Sequence, residues 1–335
     1  MDASTAAFSS LVDLAAEQVG GSALAANDEF FAGKENLLKP GRGIFDPDRY
    51  TEHGKWMDGW ETRRRRSPGH DWCVLRLGIP GIIRAVDVDT NHFLGNSPAE
   101  ASLDGCVAAA AQGDQYDDWS WRPLFGRSLL RPGSQNLVSI ADENVWDYVR
   151  LNIFPDGGVA RLRVWGDPRP FQGEAWGDQL FDLAALVNGG QAVACSDMFF
   201  GRMGHLILPG APENMGGGWE TRRRRGPGHD WVVIRLAVPG LIEHIEVETT
   251  HFKGNYPDRC SFDVCHAGSP LGASDCHDAD WQALAGEVSL GPHRSHRVES
   301  LAEHGPVDHI RLNIFPDGGV ARLRVWGRAA GPAPR

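Results

Sequence analysis

The sequence predicts an all-β protein: two tandem antiparallel β-sandwiches of jelly-roll type, produced by an internal duplication. The block Arg150 to Gly166 (RLNIFPDGGVARLRVWG) returns letter for letter as Arg311 to Gly327. Apolar residues alternate with polar ones over short runs, the mark of half-buried strands. Gly and Pro are frequent, at 41 and 21 of 335 residues, and long helical periodicity is scarce.

The repeat extends well beyond its identical block. Leu24 to Phe31 matches Val193 to Phe200, Trp60 to Trp72 matches Trp219 to Trp231, and Asp89 to Asn96 matches Glu248 to Asn255. A period of about 160 residues is one ordinary domain and far too long for a solenoid repeat. The boundaries are therefore placed at 1–170 and 171–335, with the junction near Gly166 to Ala175, where Pro168 and Pro170 interrupt regular structure. The tail Arg328 to Arg335, rich in Ala, Gly and Pro, is expected to fray.

Along the first copy, helical spacing is confined to Ser9 to Gln18, with Leu180 to Val187 in the second. Strands are expected at Asp71 to Ile79, ended by Pro80-Gly81, and at Ile83 to Asp89, with Val86 and Val88 inward. Val149, Leu151 and Ile153 share one face of the next strand, and Ala160, Leu162 and Val164 share one face of the last. Between them Pro155-Asp156-Gly157-Gly158 supplies a fixed φ, a side-chain bond to backbone and positive φ, so a closing hairpin is expected.

The formal charge of −11 argues against a nucleic-acid surface, the runs Arg63 to Arg66 and Arg222 to Arg225 being the local exceptions. No apolar stretch approaches the ~20 residues of a membrane helix, and the acidic N-terminal region does not resemble a signal peptide. Six cysteines without CxxC spacing are expected as free thiols in the cytoplasm.

Four polar clusters recur in both copies: Asp28 with Asp197; Glu61-Thr62-Arg63 with Glu220-Thr221-Arg222; His70-Asp71 with His229-Asp230; and His92 and Asn96 with His251 and Asn255. His70, Asp71, His92 and Glu61, with His229, Asp230, His251 and Glu220, are the acid–base candidates. Arg63, Asn96 and Asp28, with Arg222, Asn255 and Asp197, are the substrate-binding candidates. Guanidinium matches a carboxylate, and an Asn amide matches a ureido group. Asn152, Asp156, Asn313 and Asp317 are minor candidates. For each there is a plainer structural role: a turn for Asp28, a solvated run for Arg64 to Arg66, an arginine partner for Asp71.

No GxSxG elbow, phosphate loop or dinucleotide fingerprint is present, which leaves acid–base hydrolysis or simple binding. No cofactor is implied. A divalent metal is possible, since His70, Asp71, His92 and Asp28 are acceptable ligand types, but no metal-motif spacing places them. Cys265-His266 and Cys276-His277 look metal-like, but their spacing is unusual, and the first copy has Val107 after Cys106 and no counterpart of the second pair.

Taken together, DGWETRRRR, GHDW, VDVDTNHFLGN and RLNIFPDGGVARLRVWG, with their second copies, resemble the allantoicase family over both halves. The closing strands also look like those of galactose-binding-like sandwiches. The resemblance implies two such jelly rolls, a homo-oligomer, and a hydrolase acting on linear amidines. Its reaction would be hydrolysis of allantoate to (S)-ureidoglycolate and urea in purine and allantoin degradation, without a covalent intermediate. The competing expectation is a non-catalytic tandem sandwich that binds carbohydrate or another small ligand. Departures between the copies, Asp58 against Gly217, Glu100 against Arg259 and Glu35 against Gly204, leave open which copy holds the chemistry or whether both share it.

Overall fold

The computed structural model describes residues 11–111, 113, 115–169 and 178–330. The chain divides into two compact units, Met1–Pro170 and Phe171–Arg335. Strands of the first unit are β1 (Val12–Asp13), β2 (Ser22–Ala26), β3 (Tyr50–Thr51), β4 (Gly54–Lys55), β5 (Trp60–Glu61), β6 (Asp71–Asp89), β7 (Glu100–Cys106), β8 (Arg122–Leu129), β9 (Leu137–Ser139), β10 (Val145–Phe154), β11 (Gly158–Val159) and β12 (Arg161–Pro168). The second has β13 (Phe181–Asp182), β14 (Gln191–Cys195), β15 (Trp219–Glu220), β16 (Asp230–Glu248), β17 (Arg259–Cys265), β18 (Gln282–Ser289), β19 (Ser295–Val298), β20 (Val307–Phe315), β21 (Gly319–Val320) and β22 (Arg322–Ala329). The fold is all-β, and helical structure among the described residues is limited to short 3-10 turns.

Each unit is organised around one long strand. In the first, the order is β1-β12-β6-β10-β7-β8, with β2 and β9 also on β6 and every pair antiparallel. The start of β6, Asp71 to Arg76, lies between β2 and β10, whereas its end is flanked by β12 and β9. The second unit repeats this about β16, as β13-β22-β16-β20-β17-β18 with β14 and β19 on β16. Val74, Leu75, Ile83, Val86, Val88, Val149, Leu151, Ile153, Leu162 and Val164 are all fully buried. Each such side chain contributes about 1.5–3 kcal/mol through burial.

Three expectations are corrected. Pro80-Gly81 does not end a strand, because β6 runs through it. Residues 77–80 have no partner on β10, so the missing proline N–H breaks no bond to that strand. The PDGG segment does not close a hairpin: β10 and β12 pair with β6 rather than with each other, and Gly158-Val159 pair with Trp60-Glu61 instead. Close packing dictates this path, since a Cβ on Gly158 would sit 2.0 Å from a Phe93 ring carbon, as one on Gly319 would from Phe252.

The helical spacing, where described, forms no helix either. Val12–Asp13 joins β12 and Phe181–Asp182 joins β22, followed by 3-10 turns at Glu17–Val19 and Leu186–Asn188. Leu14, Ala15, Leu183 and Ala184 plug the core from these irregular segments. The spacing in these segments reflects burial without an α-helix. Ser9 and Ser10 lie outside the described residues.

The polar faces of the strands are covered as well. Arg161, 3% exposed, donates to Asp58 Oδ2 at 2.6 Å, and Arg42 grips Asp89 with two bonds of 2.8 Å. At the position matching Arg161, Arg322 faces no aspartate, and the carbonyls of Gly210, His205, Gly217 and Ala321 accept its protons. All six cysteines are free, and among the described residues no helix is long and apolar enough to cross a membrane.

Candidate functional site

Three sequence segments meet in each unit. Thr62 is buried and its hydroxyl accepts from Gly157 N at 3.1 Å, as Thr221 does from Gly318 N at 3.1 Å. Asp156 accepts from Arg65 N and Asp317 from Arg224 N, both at 2.8 Å. Gly158 N and Gly319 N donate to the carbonyls of Asn96 and Asn255, each at 2.8 Å. The ETRRRR run, the PDGG turn and the loop after the long strand are thereby stapled together. Asp156 and Asp317 act in the staple.

That staple brings Glu61 to Asn96 and Glu220 to Asn255. Asn96 Nδ2 donates to Glu61 Oε1 at 2.6 Å, and Asn255 Nδ2 to Glu220 Oε1 at 2.5 Å. Burial raises the Glu61 pKa above the usual carboxylate value, and the Asn96 bond only partly offsets it.

Within each run the first and third arginines take separate aspartates. Arg63 binds Asp28 through Nε at 2.7 Å and Nη2 at 2.6 Å, and Arg222 binds Asp197 at 3.0 Å through both. Burial pushes both aspartates up, but bonds from the arginine N–H groups outweigh it, leaving Asp28 and Asp197 below the ordinary value. Arg65 reaches Asp71 at 2.9 Å, and Arg224 reaches Asp230. Asp71 and Asp230 are 2% and 1% exposed, and Asn27 and Ser196 also donate to them. They are anchors for the runs, and neither is bonded to its neighbouring histidine. Arg64 and Arg223 form no ion pair among the described residues.

In the second unit the stapled segments border an open pocket of about 430 Å³ lined by Phe200, Glu220, Thr221, Arg223, Gly254, Asn255, Tyr256, Asp258, Pro316, Asp317 and Gly318. Glu220, Asn255 and Asp317 among the sequence candidates line it. Arg222, Asp197, Asp230, His229 and His251 do not. Sequence reasoning missed Arg223, Tyr256 and Asp258. Strand-like alternation within the run would have flagged Arg223. The other two gave no repeat signal, because the first copy has Ser97 and Ala99 there.

The histidines take other places. His70 and His229 pack on Phe154 and Phe315, with ring centroids 4.7 Å apart in both units, and His229 Nε2 lies 3.2 Å from Asn313 Oδ1. A guanidinium covers the same phenylalanine in each unit: Arg127 at 4.2 Å from the Phe154 ring, Arg259 at 5.5 Å from Phe315. The two come from different strands. In the first unit Glu100 on β7 pairs with Arg127 on β8, whereas in the second Arg259 on β17 pairs with Glu287 on β18. His92 and His251 hold left-handed backbone, φ 68 and 70, conformations that cost a non-glycine residue about 1–3 kcal/mol. His92 stacks on Phe45, and His251 Nε2 lies 2.9 Å from the Pro212 carbonyl. Asn152 and Asn313 donate to Asp104 and Asp263. Among the described residues, His70, Asp71, His92 and Asp28 belong to no metal-type cluster.

The allantoicase repeat model matches residues 12–169 and 181–330. The chain belongs to the allantoicase family. The probable allantoicase of Pseudomonas aeruginosa (strain LESB58) is 48% identical over 331 residues, covering 98% of this chain and 99% of that protein. Probable allantoicase 1 of Burkholderia mallei is 48% identical over 318 residues, 94% of each chain. The crystal structure of allantoicase from Saccharomyces cerevisiae superposes with a TM-score of 0.82 at 32% identity, covering 98% of both chains. Allantoicases thus share both repeats of this chain and its all-β architecture.

Proposed function

We propose that this chain hydrolyses allantoate to ureidoglycolate and urea, and that the Glu–Asn pair at the three-segment staple is the reacting centre. The observation that carries the site is the pair itself, made twice: Glu61 with Asn96 and Glu220 with Asn255. In the second unit it borders a pocket that also presents an arginine without an acidic partner among the described residues.

Allantoate carries a carboxylate and two ureido groups on one carbon. Arg223 offers a planar fork to that carboxylate. Asn255, whose Nδ2 donates to Glu220 and makes a long 3.9 Å contact to Met215 Sδ, presents its Oδ1 acceptor to a ureido N–H. Glu220 then takes a proton from water as the new C–O bond forms, and returns it to the ureido nitrogen as the C–N bond breaks. The proton count balances, and no covalent intermediate arises. His229 and His251 do not line the pocket, so this reading gives them no direct part in the reaction. In the first unit Glu61, Asn96 and Arg64 take the matching roles. The free thiols fit a reducing compartment such as the cytoplasm, and homo-oligomerisation, tested by light scattering, follows from the family resemblance.

The test is urea release from allantoate by the purified chain and by a Glu61→Gln/Glu220→Gln double variant. Urea from the parent and a loss of about 10²–10⁴ in kcat in the double variant are expected. No urea from the parent refutes the activity. Undiminished kcat in a folded double variant refutes the site while leaving the activity standing.

A further inference from the structure

The second unit carries a set of metal-type ligands that the proposed reaction does not use. Pairing of β17 with β20 sets Cys265 opposite His309, so both side chains leave the same face of the sheet. Ligand atoms of Cys265, Asp308 and His309 all lie within 4.8 Å of one another. These residues are buried, at 5%, 8% and 1% exposure. Cys276, in the segment between β17 and β18, is 2% exposed and stands outside that group: it packs with Ala194 and Val233, and its thiol donates to the Gly272 carbonyl at 3.3 Å. Asp308 Oδ1 lies 2.6 Å from His309 Nδ1 and accepts from Ala267 N at 2.9 Å, while Oδ2 accepts from Gly268 N at 2.8 Å and lies 3.4 Å from His266 Nδ1. His309 Nε2 has only a long 3.4 Å contact from Leu271 N.

The first unit shows what ordinary packing looks like at this place. There Cys106 is kept, but Tyr116, Trp119 and Tyr148 form an aromatic cluster beside it, with centroids 5.0 and 4.9 Å apart. The second unit has Cys276, Ala279 and His309 at those three positions. A shared hydrogen bond fixes the alignment: Trp121 Nε1 donates to the Tyr116 carbonyl at 2.7 Å, and Trp281 Nε1 to the Cys276 carbonyl at 2.9 Å. Val107 is likewise replaced by His266, around an aspartate common to both units as Asp147 and Asp308. An apolar filling has thus been exchanged for a thiol and two imidazoles beside a thiol already present.

We propose that the second unit holds a structural soft divalent cation of the zinc class, with Cys265 and His309 as ligands and Cys276 as the third once its thiol leaves the Gly272 carbonyl. Two sulfurs and an imidazole form the donor set such an ion selects. Asp308, bonded to Nδ1, fixes the ring and aims Nε2, the usual outer partner of a ligating histidine. Binding releases the two thiol protons to solvent. The site shares no residue with the Glu220–Asn255 pocket.

The test uses the full chain, reduced and stripped with chelator, titrated with Co²⁺ alone. Expected are a thiolate-to-cobalt absorption saturating at one equivalent, its displacement by Zn²⁺, and a higher melting temperature with zinc. Cys265→Ser, Cys276→Ala and His309→Tyr should each lower the affinity at least tenfold. His309→Tyr installs the first unit's residue, so its fold, checked by circular dichroism, and its urea release are expected to stay unchanged. No saturable band in the parent, or an undiminished band in folded His309→Tyr and Cys265→Ser, would overturn the proposal.

Discussion

Replacing Asp58 with alanine tests the buried pair that most clearly separates the two units. Arg161 and Asp58 are 3% and 7% exposed, and they meet at 2.6 Å. Removing one partner of a buried pair costs about 3–5 kcal/mol, because a desolvated charge is left behind. The Asp58 and Ala160 carbonyls, 3.1 and 2.7 Å from Arg161 Nη1, survive the change and hold the cost toward the lower end. Ile44 N–H, however, loses its acceptor at 3.0 Å, adding about 1 kcal/mol. The sum is about 4 kcal/mol, or about 8–16 °C in the apparent melting temperature of a domain this size. In Asp58→Ala/Arg161→Met the stranded charge is gone, and most of the loss should return. Scanning calorimetry on the parent and both variants measures this. A loss below about 1 kcal/mol in Asp58→Ala, or a double variant no more stable than the single one, would refute the reasoning. Arg322 indicates the other solution: with carbonyls as its hydrogen-bond partners, burial pushes its pKa down to about 10, the neighbouring Arg324 adding to the shift and Glu248 opposing it.

Other outcomes follow from the same geometry. If one unit alone is catalytic, Glu61→Gln and Glu220→Gln will differ by at least tenfold in kcat; if both units work independently, each variant will retain about half, as initial-rate urea assays will show. Arg223→Ala should raise KM at least tenfold, whereas Arg222→Ala, whose guanidinium is tied to Asp197, should alter KM less than threefold; the reverse order would reassign the carboxylate contact. Burial raises the Asp87 pKa to about 6, and nearby Asp89 adds to it, against opposing bonds from Gln135 and Asn136. A raised carboxylate favours the folded state fully below its unfolded value of about 4 and loses that contribution as pH rises through about 6. Asp87→Asn should therefore flatten the fall in urea-unfolding stability between pH 4 and about 7, a change of up to about 3 kcal/mol; an unchanged slope would contradict it.

Much of the fold was legible because alternation and literal repetition are local properties of the sequence. Val149, Leu151 and Ile153 announced a buried face, and it is fully buried. Pairing is not local. The PDGG turn joins two good strands, yet both choose β6, a partner some 60 to 90 residues earlier. The helical spacing of Ser9 to Gln18, where described, marks burial rather than helix. Within the site, repetition pointed to Glu61, Asn96, Glu220 and Asn255, which do meet in each unit. It gave no weight to Tyr256 and Asp258, which differ between copies, and it could not rank four adjacent arginines. Their ranking depends on which of them meet Asp197 and Asp230.

The reversed ion pairs, Glu100 with Arg127 and Arg259 with Glu287, also bear on how a chain with two near-copies avoids confusing them. Neighbouring repeats invite strand exchange during folding, and here the last strands share their first six residues, RLRVWG. If β7 paired with β18, Glu100 would face Glu287. If β17 paired with β8, Arg259 would face Arg127. Either exchange would set like charges diagonally across a ladder, a penalty of about 0.2–1 kcal/mol, which biases each half toward its own edge strand while each still delivers a cation to its phenylalanine.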